Sequence, residues 1–140
     1  MLFLSGVQVS FFYYPNEVVK DFIKVEEMPN LRIASILDIA VMKVIAIGGR
    51  GAKKDFFDLY CIVKQTGISV LELANALIKK CGENVNYANI IMGLSYFEDA
   101  EQELLPKTFM QYDWNAIKQF FINFQPQLET CLEKLRFIIV

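Results

Sequence analysis

The chain contains no histidine. That absence removes Ser-His-Asp and Cys-His nucleophilic catalysis, histidine general-base chemistry and most zinc sites in one step. Cysteine is sparse as well: Cys61, Cys81 and Cys131 stand far apart, odd in number and without a Cys-x-x-Cys pair. Neither a disulfide framework nor a zinc ribbon is therefore expected. No stretch reaches the roughly 18 consecutive apolar residues of a membrane span, because Lys, Asp or Glu interrupts each one. The opening MLFLSGVQVSFFYY is apolar but alternating, with no basic leader region and no small-residue cleavage site. It reads as strands, and the protein as cytoplasmic with no membrane partner. A surplus of positive charge is missing too. The net charge of −2 argues against nucleic-acid binding by the whole surface and leaves a local basic cluster as the remaining route to it. Any chemistry must use carboxylates, lysines or a bound metal.

What is present is a single domain's worth of chain, 140 residues, with 54% hydrophobic and 14% aromatic content. Such a composition implies either extensive burial or a surface that expects a partner. Residues 2–14 are dense in β-branched and aromatic types, with Ser5-Gly6 as a hairpin turn and Pro15-Asn16 as the end of the run. A third short strand is expected over Phe22–Glu26, before Pro29-Asn30 breaks the chain. From Ser35 the period becomes helical. Ser35 with Asp38 opens a helix expected to stop at Gly48-Gly49, a second runs from about Ala52 to Gln65, and Ser69 with Glu72 caps a third that closes at Gly82. Asn86 starts a fourth, the stretch 105–112 is a connector, and Asp113 caps a last long helix interrupted or kinked by Pro126. The expected class is α+β: a small N-terminal antiparallel sheet, residues 1–34, followed by a predominantly helical part, residues 35–140.

The helix from Ser35 to Ile47 leaves only Asp38 and Lys43 polar in its body, so it should be central. Lys43 has Ile39, Ala40, Ala46 and Ile47 one turn away on either side, which embeds its stem. Its ammonium must either snorkel to water or meet an anion. Asp55 and Asp58, three residues apart on the next helix, project from one face and are the natural carboxylates, able to orient the lysine or to bind Mg²⁺, a choice that spacing alone does not make. Lys53 and Lys54 stand at the start of that helix, where the dipole disfavours cations, so something else must hold them. With Arg50 in the glycine-rich turn, the basic residues suit a phosphate cradle. Capping and surface ion pairs would account for any one of these residues taken alone.

These residues resemble the nucleotidyltransferase AbiEii/AbiGii toxin family, whose members look like polymerase β-type nucleotidyltransferases. ASILDIAVMKVIAIGGRGAKKDFFDLYCIV, residues 34–63, is similar to the family's Asp-x4-Lys element followed by its Arg-x3-Lys-Asp-x2-Asp element. VSFFYYP before it and LSYFEDAE, residues 94–101, add to the likeness. The resemblance implies transfer of a nucleotide from an NTP, with Mg²⁺, to an RNA acceptor such as the 3′ end of a tRNA. It implies a separate antitoxin partner. It also implies Lys43, Asp55 and Asp58 as catalytic residues, Arg50 and Lys54 near phosphate, and Asp38 in a structural role. Such enzymes carry a Gly-Ser helix and an Asp-x-Asp metal pair upstream of the strand that VQVSFFYY resembles, and this chain shows neither. Ser10 stands where a third metal-binding carboxylate often lies. No metal ligand is therefore expected from this chain, which reads as the C-terminal portion of such a protein and inactive alone. Aromatic surface left uncovered by the missing portion should drive self-association. The alternative is a non-catalytic helical interaction module of a toxin–antitoxin or phage-defence system.

Overall fold

The structure is a computed structural model that describes residues 1–104, 106–108 and 110–139. Leu105, Phe109 and Val140, which fall in the expected connector and last helix, lie outside the described residues. The N-terminal part is two separate hairpins rather than one sheet. Strands β1, Leu2–Leu4, and β2, Val7–Val9, pair antiparallel around Ser5 and Gly6, both at positive φ as a tight primed turn requires. The expected strand does not extend to Tyr14, since pairing ends at Val9. Strand β3, Ile23–Val25, pairs with a strand the sequence did not suggest, β4, Met28–Ile33. Pro29-Asn30 therefore lies inside a strand instead of breaking the chain. The register explains this: Lys24 faces Arg32 and Val25 faces Met28, so Pro29 falls in a bulge where no ladder N–H is needed.

The helical part holds the core. Helix α1, Ile36–Gly49, packs on α2, Lys53–Thr66, on α3, Val70–Cys81, and on α4, Tyr87–Gly93. A short α5, Glu98–Glu101, follows, and α6, Trp114–Ile139, closes the far side against α2, α3 and α4. Caps set most starts. Ser35 accepts the Asp38 N–H at 3.1 Å, Ser69 and Glu72 form a complete capping box, Asn86 accepts from Asn89, and the Asp113 carboxylate accepts the Asn115 N–H at 2.9 Å. Helix α6 runs on through Pro126 without interruption and turns Ile117, Phe121, Phe124, Leu128 and Leu132 inward.

Helix α1 continues through the glycine pair where it was expected to stop, because Gly48 serves a crossing rather than an end. A Cβ on Gly48 would lie 2.8 Å from the Ile90 Cα, and one on Gly93 would lie 2.8 Å from the Gly48 Cα. Only glycines let α1 and α4 approach this closely. The turn after Gly49 uses Gly51 at φ +59°, and Gly67 at φ +68° ends α2. No described helix is long and apolar enough to cross a membrane.

Candidate functional site

The site forms where the middle of α1 faces the first two turns of α2. Lys43 Nζ lies 3.1 Å from Asp55 Oδ1 and 2.7 Å from Asp58 Oδ2. Arg50, at the C-cap of α1, meets Asp55 side-on: its Nε donates to Oδ2 at 2.7 Å and its Nη2 to Oδ1 at 2.9 Å. Asp55 is 0% exposed and so needs this compensation, since a buried carboxylate without partners would not stay ionised. Burial alone would raise its pKa, but the hydrogen bonds from Arg50 and Lys43 outweigh burial and hold it below the usual carboxylate range. Burial would likewise lower that of Lys43, and Asp58 and Asp55 reverse the direction. The hydrogen bond to Asp55 raises that of Arg50. All three stay charged at neutral pH.

The arrangement leaves donors over. An ammonium has three N–H groups and Lys43 spends two; a guanidinium has five and Arg50 spends two. Lys43 is 23% exposed, and Arg50 is exposed beside it. Both line an open pocket of about 570 Å³, whose other walls include Met42 and the rings of Phe12 and Tyr14. An apolar concavity with convergent cationic donors is suited to a ligand that combines an anionic group with a flat hydrophobic body.

The structure brings together Lys43, Arg50, Asp55 and Asp58 and leaves out Lys54, which is exposed and makes no ion pair among the described residues. Asp58, one helical turn beyond Lys54, is taken by Lys43. The neighbouring Lys53 is the buried one. Its Nζ donates to the Glu103 carbonyl at 2.9 Å and sits 5.0 Å from the centre of the Trp114 ring. Glu103 also accepts the Lys53 backbone N–H at 3.2 Å, supplying the cap that Ala52 lacks. That acid, fifty residues downstream, is what holds Lys53 at the helix start. Asp38 lies apart from the cluster, buried against Lys80 at 3.0 Å. No local spacing signals this pairing, which joins residues forty-two apart in the chain.

Magnesium requires several oxygen ligands at about 2.0–2.1 Å. Both Asp55 oxygens are held by cations and one Asp58 oxygen is held by Lys43. No group of three or more potential ligands occurs among the described residues. The donor set does not fit a metal ion. Cys61 and Cys81 are free, and burial pushes both thiols up, away from nucleophilic character.

An α+β chain with cationic donors clustered at an apolar pocket is an arrangement that many kinds of protein share. Comparison narrows the choice. The family described as "Nucleotidyl transferase AbiEii toxin, Type IV TA system" matches residues 7–134, and the chain belongs to that family. It is also 36% identical over 118 residues to uncharacterized protein aq_aa25 of Aquifex aeolicus (strain VF5), across 84% of this chain and 55% of that protein. The chain thus spans about half the length of the curated relative it matches. No solved structure gives a significant match.

Proposed function

We propose that the chain provides the phosphate-handling side of a toxin-type nucleotidyltransferase, which moves a nucleotide from an NTP to an RNA acceptor such as a tRNA end, in the cytoplasm and under the control of an antitoxin. One observation carries the reading. Lys43 is held by two aspartates at the edge of a pocket, with a donor to spare. In this reading Lys43 and Arg50 receive the NTP phosphates, Asp55 fixes both cations, and Asp58 sets the ammonium and assists the acceptor. The family membership supports it. Phosphoryl-group transfer of this kind depends on charge neutralisation by metal ions held by carboxylates. The carboxylates described here are committed to cations, so the isolated chain binds the nucleotide without transferring it.

Titration calorimetry with ATP, CTP, GTP and UTP tests the binding half. Lys43→Ala should weaken each by at least about tenfold, in line with loss of a charge-assisted contact; unchanged binding overturns the assignment. Incubation with radioactive NTP and total tRNA tests the other half. Robust labelling by the chain alone would overturn the statement that it binds without transferring.

A second reading, a non-catalytic interaction module, draws on the exposed rings of Phe3, Phe11 and Tyr13, a surface suited to an antitoxin or a second copy of the chain. It requires that light scattering at micromolar concentration show association, and that Lys43→Ala leave that association intact. A strict monomer that binds no hydrophobic dye removes it.

A further inference from the structure

The pocket's aromatic wall belongs to a stretch of chain that has no regular structure and no neighbouring strand. Residues 10–22 follow β2 as irregular chain. What fixes them is polar and buried. The side chains of Asp38, in the first turn of α1, and Lys80, in the last turn of α3, are 1% and 2% exposed and 3.0 Å apart. Asp38 also accepts the backbone N–H groups of Val19 at 2.7 Å and Lys20 at 3.1 Å, as well as the Ser35 hydroxyl at 2.6 Å. Lys80 donates to the Glu17 carbonyl at 2.7 Å, and its ammonium stands 5.3 Å from the centre of the Tyr14 ring. Lys79 adds a bond to the Val19 carbonyl at 3.1 Å.

Stability alone does not explain such a pair. An apolar pair of the same volume would often hold two helices together as well or better. What the charges add is direction. A carboxylate and an ammonium have fixed numbers of acceptor and donor sites, and here these are filled by named backbone atoms of Glu17, Val19 and Lys20. Sliding the strap by one residue would strand them. The strap runs straight into Tyr14 and Phe12, which line the pocket beside Lys43 and Arg50.

We propose that Asp38 and Lys80 are positioning residues: their buried pair fastens residues 14–20 to α1 and α3, and so sets Phe12 and Tyr14 as the surface on which the base of a nucleoside triphosphate stacks. The proposal rests on the functional reading above, in which Lys43 and Arg50 take the phosphates, and it adds the site for the base. Stacking is tolerant of base identity, because every base has an aromatic face. The wall therefore serves affinity for nucleotides over bare phosphates rather than choice among nucleotides.

The test compares ATP with inorganic tripolyphosphate, which has the charges and no base. Wild type, Lys80→Met, and the Asp38→Asn/Lys80→Met double variant are titrated with each. The double variant buries no unpaired charge, and it replaces one of the two oxygens that accept the Val19 and Lys20 N–H groups with an NH₂ donor, which cannot accept from the strap. Both variants should lose at least about fivefold in ATP affinity, the lower end of what one stacked base supplies, with tripolyphosphate affinity unchanged. Lys43→Ala should weaken both ligands. Equal losses for the two ligands, or no loss for ATP, overturn the proposal. Amide hydrogen exchange gives a readout without ligand. Val19 and Lys20 should exchange at least about tenfold faster in the double variant while the interior amides of α1 and α2 hold their rates. Unaltered exchange there overturns the clamp. If the wild type binds neither ligand, the functional reading falls and the stacking role with it, and exchange alone decides whether the pair holds the strap.

Discussion

The first 33 residues are richer in large apolar side chains than the helices that follow, yet they bury far fewer of them. Phe56 in α2 is 0% exposed and touches the rings of Phe97, Trp114 and Phe121, with centroids 5.4, 6.0 and 5.1 Å away. Phe11, beyond β2, is 80% exposed. Among the described residues, the buried core lies entirely at or beyond Ala40. The difference is one of geometry. A helix such as α1 offers apolar groups all round and finds three neighbours, whereas a hairpin of three-residue strands has too little area to bury anything by itself. The N-terminal region is instead held to the body largely by charge and hydrogen bonds, through Asp38, Lys79 and Lys80. Apolar and polar perturbations should therefore act on different parts of the molecule.

The largest effect should follow from Phe56→Ala, which empties the centre of an aromatic cluster and is expected to destabilise the chain by about 3–5 kcal/mol in urea denaturation. Phe11→Ala should stay within about 0.5 kcal/mol, as an exposed residue does. Comparable losses would mean that the hairpins are buried against another copy, and the contrast between the regions would be gone. Next in size is acid. Burial alone would raise the pKa of Asp38, but the Ser35 hydroxyl, the Val19 N–H, the Lys80 ammonium and the Lys20 N–H bring it from the ordinary 3.8 to about 2. A carboxylate lowered on folding contributes stability that is complete above its unfolded pKa and lost as pH falls through the folded one. Stability should therefore drop between about pH 4 and pH 2. Asp38→Asn should flatten that limb. The loss should appear first in the exchange of the Val19 and Lys20 amides, and a simultaneous collapse of α1 would contradict the division between strap and body.

Within the body, adjacent glycines should respond with opposite sign. Gly48→Ala drives a methyl group to 2.8 Å from the Ile90 backbone, and is expected to cost about 1–3 kcal/mol by overpacking. Gly49→Ala meets nothing within 4 Å, and should stabilise the last turn of α1 by about 0.4–1 kcal/mol. Thermal melts of the two single variants decide this. Equal signs would show that the α1–α4 crossing is looser than its glycines indicate.

These contrasts also mark what could be read from the sequence. Signals carried by neighbours in the chain were legible: the Ser35 and Ser69 caps, and Lys43 on an apolar α1, which had either to reach water or to meet an anion, with two acids three residues apart on α2 as its natural partners. The functional roles of those residues rest on the family resemblance rather than on spacing. What failed was long-range or depended on register. Glu103 capping Lys53, and Lys80 reaching Asp38 across forty-two residues, leave no local trace. Pro29 reads as a breaker until the bulge that tolerates it is known. Gly48 reads as a stop because a close helix crossing and a helix end call for the same residue.

The smallest expected effect sharpens the account of the strap itself. The Tyr14 hydroxyl is buried and has no hydrogen-bond partner among the described residues, while its ring faces the Lys80 ammonium. If the ring alone seats the strap, Tyr14→Phe keeps the face that the cation meets and removes only a desolvated polar atom. The variant should be neutral, or more stable by up to about 1 kcal/mol, in urea denaturation. ATP affinity should be unchanged, because stacking needs the ring and not the oxygen. Tyr14→Leu should keep the volume and lose both the cation contact and the stacking surface, lowering ATP affinity alone. A Tyr14→Phe variant destabilised by more than 1 kcal/mol would instead assign the hold on this segment to its hydroxyl, and the charge pair beneath it would be a secondary support.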